Sequence, residues 1–211
     1  MQRKYTFGLA CLGFIIGGTP LSARTVIDEW SSVQPPPVPV LQEVQVEPST
    51  TALLLLDFVP QTCSTAHRPR CVASIPVVSA LAKNAREHGV RVIYSIVRTA
   101  KPDDIVPTLR PQAGEVIVQS GPDKFLNTSL ANVLRDDGIK TVIVTGTTAE
   151  GVILSTGSEA AFRGYQVIVP VDGISSSSLY AEQYVVWDLL HSPGTVGHVV
   201  VTKASMIDFG H

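Results

Sequence analysis

The chain has 211 residues, 45% of them hydrophobic and 16% charged, with 16 lysines and arginines against 18 aspartates and glutamates. That length suits one domain with an ordinary core, and the apolar share excludes a disordered chain. A formal net charge of −2 argues against a nucleic-acid binder, which would carry a basic excess.

Residues 1–23 read as an address rather than as part of a fold. Arg3 and Lys4 form a basic start, and residues 7–18 an apolar run too short to span a bilayer of about 30 Å as a helix. Small residues Ser22 and Ala23 then suit cleavage. The reading is a signal peptide, hence a secreted or periplasmic protein with no membrane attachment after cleavage; the alternative is an uncleaved anchor. Cys11 would leave with the leader, so two of the three cysteines remain, Cys63 and Cys71. In an oxidising compartment such a close pair is expected to form a disulfide. Its short loop limits the stabilisation to on the order of 2–3 kcal/mol. The other reading keeps Cys63 as a free, reactive thiol.

Residues 24–50 are rich in proline (Pro35, Pro36, Pro37, Pro39, Pro48), which favours an extended arm over a helix. Residues 51–211 are regular. Residues 52–56 (ALLLL) form a continuous apolar run ending in Asp57, the pattern of a strand buried on both faces. Helical spacing follows over 75–88 and stops at Gly89. Further strands are expected at 91–97, 115–118, 141–144, 167–171 and 198–201, with helices at 128–137, 151–163 and 180–190. Strands alternating with helices imply right-handed βαβ units around a parallel sheet. In such sheets the site lies beyond the carboxyl ends of the strands.

Those ends hold few chemical groups. Asp57 is a carboxylate suited to acid–base work if desolvated; otherwise it is a turn acid. The turn Ser120-Gly121-Pro122-Asp123-Lys124-Phe125 offers Lys124, which could hold an anion or polarise a carbonyl, or simply be a solvated loop lysine. Lys124 and Arg98 together would suit a small anionic molecule. Residues 145–152 (TGTTAEGV) join strand to helix through small residues that let backbone N–H groups approach a ligand. The stretch is neither a P-loop nor a GxGxxG turn. The five histidines are scattered, so no metal site is expected, and no G-x-S-x-G elbow is present.

At LLLLDF (residues 53–58), KFLNTSL (124–130) and TVIVTGTTAEGVILSTGSEAAFRGYQVIVPVDG (141–173) the chain resembles the isochorismatase-like (cysteine hydrolase) superfamily. The resemblance implies a Rossmann-like three-layer α/β/α sandwich with a six-stranded, mainly parallel sheet, and a homo-oligomer. It implies a small-molecule substrate and no cofactor. The family site is an Asp, a Lys and a Cys nucleophile. Asp57 matches the Asp. Without a gap the Lys position falls on Gln119, five residues before Lys124, and the Cys position on Val152, which has no nucleophile. A non-proline cis peptide of the family would fall within 147–149. Nicotinamidase-like members hold a metal after the second strand, where residues 97–101 lack histidine. Isochorismatases proper are similar in lacking the Cys, but their Gln after that strand is not apparent beside Val97 and Arg98.

The expected site is therefore Asp57 and Lys124 for acid–base work, with Phe58, Arg98, Thr148, Ala149, Gly151 and Val152 around the substrate. Two readings rank below this exported, cysteine-independent hydrolase. One is an inactive small-molecule-binding pseudoenzyme, the other an enzyme using Cys63 as a relocated thiol.

Overall fold

The computed structural model describes residues 23–210. The leader read over residues 1–23 lies outside this range except for its last residue. Two units are distinguished, up to Pro37 and from Val38 onward. In the first, the Thr25 backbone N–H and hydroxyl both donate to Asp28 Oδ2 at 2.8 Å, and a single 3-10 turn spans Trp30–Ser32.

In the second unit the rest of the proline-rich segment is tied to the body. The Gln42 N–H donates to Val201 O at 3.1 Å, and Thr202 Oγ1 donates to Gln42 O at 2.6 Å. Strand β1 (Val44–Gln45) pairs in parallel with β9 (Ile207–Asp208) as a two-residue ribbon. The main sheet contains β2 (Thr51–Leu56), β3 (Arg91–Val97), β4 (Val116–Ser120), β5 (Thr141–Thr147), β6 (Gln166–Pro170), β7 (Ile174–Ser175) and β8 (Val199–Thr202). Its order is β4-β3-β2-β5-β6-β8, every pairing parallel. The six expected strands make this path, and a seventh, β7, adds two residues beside the end of β5.

Side chains of a strand alternate between faces. On β2, Leu53 and Leu55 join Val78, Leu81 and Ala85 of α1 (Pro69–Glu87) in one core. Leu54 and Leu56 join a second core with Leu134 of α2 (Leu130–Asp136), Ala160 of α3 (Leu154–Phe162) and Leu189 of α4 (Leu179–His191). Burial on both faces is why β2 reads as unbroken leucine, and it produces the three-layer α/β/α sandwich.

Helix α1 starts six residues earlier than its spacing suggests. Pro69 takes the first helical turn, where a missing N–H costs nothing, and Pro76 lies inside the helix.

Chain order reverses between β2 and β5, so the crevice beyond their carboxyl ends is the expected ligand position for an open α/β sheet. The two strands approach closely there. Gly146 has φ 139°, and a Cβ on it would stand 2.1 Å from the Leu56 carbonyl oxygen.

Candidate active site

Asp57 follows β2 directly and turns the chain with φ 60°, a left-handed conformation that aspartate tolerates better than most residues. Its N–H donates to Ser95 O at 3.1 Å, and its carbonyl accepts from the Val59 N–H at 2.9 Å and from the Thr62 hydroxyl. The backbone of the acid is thus held by β3 on one side and by its own turn on the other. Its carboxylate is 3% exposed. Oδ1 accepts from Ser95 Oγ at 2.8 Å, and Oδ2 lies 2.9 Å from Lys124 Nζ.

Lys124 is wholly buried, delivered by the turn after β4. Ser120 Oγ donates to Asp123 O at 2.7 Å, and Asp123 Oδ1 accepts from the Phe125 N–H at 2.8 Å. Thr156 of α3 pins the turn from the other side, accepting from the Lys124 N–H at 3.3 Å and donating to Pro122 O at 3.1 Å. The ammonium also points at Ser120 O, 3.4 Å away. Gln119, the ungapped family position, spends its side-chain amide on the carbonyls of Val97, Arg98 and Ala100. The amine that meets Asp57 is therefore that of Lys124, and it does not sit at the mouth as a free cation.

Burial raises the Asp57 carboxyl above the usual carboxylate range, with the Lys124 charge opposing that rise. Burial likewise lowers the Lys124 amine, and the Asp57 charge opposes it. Both shifts disfavour the charged forms, so the proton affinities of the two groups move toward each other.

Beyond β5 the Thr147–Thr148 peptide is cis. A π-helical turn, Ala149–Ile153, leads into α3. A Cβ on Gly151 would stand 2.5 Å from Thr148 Oγ1, so any larger residue there would make the Thr148 hydroxyl turn away.

These segments enclose a cavity of about 350 Å³. Asp57 lies in its wall together with Thr148, Gly151, Val152, Arg68 and Arg98. Two residues expected around the substrate, Phe58 and Ala149, have no place in the cavity wall. Phe58 is 2% exposed and packs in the core on the α1 face. Ala149 is fully buried in the opposite core. Each directs its side chain inward, away from the cavity, although its neighbour Asp57 or Thr148 faces it. Arg68 is the residue that sequence reasoning missed. It follows no strand; it stands in the loop between Cys63 and Cys71, which are joined at 2.00 Å. A bridged Cys63 offers no thiolate. Among the described residues no group of three metal-ligating side chains occurs.

The chain is thus a parallel α/β/α sandwich with a buried Asp–Lys pair at its switch point. The isochorismatase domain model matches residues 51–203, so the chain belongs to the isochorismatase family. Maleamate amidohydrolase of Pseudomonas putida is 27% identical, the match spanning 56% of this chain and 68% of that protein. The secreted isochorismatase effector Isc1 of Verticillium dahliae is 26% identical over 51% of this chain and 62% of its own length. A cysteine hydrolase from Pseudomonas syringae pv. phaseolicola has the same fold, with a TM-score of 0.68 at 22% identity over 80% of this chain and 94% of that one.

Proposed function

We propose that this protein is an exported hydrolase that cleaves a small molecule by acid–base chemistry at Asp57 and Lys124, without a sulfur nucleophile. The observation that carries the reading is the 2.9 Å contact between Lys124 Nζ and Asp57 Oδ2 in a buried pair beside the cavity. Val152 stands in the wall where the family thiol is expected and cannot attack, so the attacking group is water. Asp57, its proton affinity raised by burial, gives a proton to the leaving group as its bond to the substrate breaks. Water supplies hydroxide to the substrate and returns a proton to Asp57, which closes the cycle. Lys124 steadies the carboxylate while it is ionised. Export is supported by the leader-like residues 1–23 and by the secreted relative.

The retained pair favours turnover; Val152 alone favours a binding protein that has lost its nucleophile. The two readings separate experimentally. Small-molecule extracts are incubated with the protein and followed by mass spectrometry, then repeated with Asp57→Asn. Asparagine tolerates the same backbone conformation, so the turn is kept. We expect a depleted metabolite whose consumption falls about 10²- to 10⁴-fold in the variant. Unchanged consumption in Asp57→Asn defeats the proposal.

A further inference from the structure

We infer that Arg68 and Arg98 form a two-guanidinium anion clamp in the cavity, that the substrate of the proposed hydrolase carries a carboxylate, and that the Cys63–Cys71 bridge positions Arg68. This deepens the hydrolase reading and rests on it only for the identity of the ligand as substrate.

Four observations support the clamp. Both arginines line the cavity, and Asp57, already paired with Lys124, is the one carboxylate in its wall. Neither guanidinium is paired with an acidic side chain among the described residues, whereas Arg70, Arg86, Arg91 and Arg163 all are. Arg68 Nη1 donates to Thr62 O at 2.6 Å, but its Nε is buried with no acceptor. A buried cationic N–H without a partner is costly, so this guanidinium is under-satisfied by the protein, and a carboxylate arriving at the part of Arg68 that lines the cavity would add charge-assisted hydrogen bonds to it. Arg98 lies along the turn after β4, its Nη2 in ordinary contact range, 3.9 Å, of where a Cβ on Gly121 would stand.

The bridge bears directly on Arg68. Cys63 and Cys71, with Cα atoms 5.4 Å apart, close an eight-residue separation that contains it. The Arg68 N–H donates to Ser64 O at 2.7 Å, and the Cys71 N–H to Arg68 O at 3.0 Å. The arginine is thus anchored by backbone within a covalently closed loop. Its long side chain needs such an anchor to be held in one place.

The test is calorimetric titration with succinate and benzoate and with their neutral amides, succinamide and benzamide. We expect at least one carboxylate to bind, more tightly than its amide and less tightly as salt is raised. Arg68→Gln should weaken that binding about 10- to 100-fold, and Arg68→Lys should recover part of it. Arg98→Gln should weaken it by a smaller factor, because Arg98 is more exposed. Cys63→Ala/Cys71→Ala, with helix content checked by circular dichroism, should lose affinity as Arg68→Gln does. Should that double variant fail to fold, the Arg68→Gln and Arg68→Lys pair decides. Binding of neither carboxylate, equal binding of acid and amide, or an unchanged affinity in Arg68→Gln overturns the inference. Carboxylate binding without any turnover in the extract experiment would sink the hydrolase reading while leaving the clamp intact.

Discussion

Two ion pairs among the described residues, one half-buried and one buried, differ in what they leave unspent. On one flank Arg86 of α1 meets Glu115 at 2.7 and 2.9 Å in a two-pronged contact. It also donates to the Tyr94 hydroxyl at 2.5 Å, while the Gln112 N–H donates to the same carboxylate at 2.7 Å. Burial pushes the Tyr94 phenol up to about 12, so it stays protonated. Every strong group in this cluster is engaged. The pair of Asp57 and Lys124 is more deeply buried, yet its ammonium has one good acceptor and one distant one, and its acid borders a cavity. Burial of charge alone does not single out a candidate site; burial with spare valence next to open volume does.

That contrast can be broken. The largest effect is the loss of turnover in Asp57→Asn set out above. The matching change on the other flank, Arg86→Met, should leave kcat and KM within about twofold. Stability should fall by about 2 kcal/mol, below the 3–5 kcal/mol of a wholly buried pair, because the partners keep 19% and 12% side-chain exposure. Urea unfolding and steady-state kinetics on the same samples check both halves. A kinetic loss in Arg86→Met would erase the distinction.

A second comparison removes the reactive pair as a unit. Asp57→Asn/Lys124→Met, which keeps the left-handed turn at position 57, should be inactive yet lose less stability than the two single changes added together, since no buried charge is then left unpaired. Either change alone strands a buried polar group and should be less stable than the double variant in thermal unfolding.

The smallest effect lies in the pH profile. With Asp57 as acid, activity falls as pH rises through its raised pKa. Lys124 holds that pKa down, so the residual activity of Lys124→Met should lose its alkaline limb about 1–3 units higher. A rate that instead climbs with pH through that region would make Asp57 a base.

Much of the scaffold was legible in the sequence because its strands are buried on both faces, leaving runs such as residues 91–97 that coincide with β3. Asp57 was legible for the same reason, as a carboxylate that ends such a run. The partnership of Lys124 was harder, since counting without a gap favoured Gln119 and only the turn pinned by Thr156 shows which side chain folds inward. The inward turn of the Phe58 and Ala149 side chains was not legible, because adjacency to a cavity residue says nothing about which face a side chain takes. Arg68 was missed because it enters from a loop that no strand-end rule selects.

Asp57 hangs from β2 in the middle of the sheet, whereas Lys124 follows β4 at its edge. Local opening of a fold differs from region to region, and an opening at this edge would pull a desolvated cation off its counter-ion. The ammonium therefore works as a latch on the sheet margin. An opening of that margin would leave the Asp57 carboxylate without its counter-ion and raise its proton affinity, which ties the protonation of the acid to the integrity of the outermost strand.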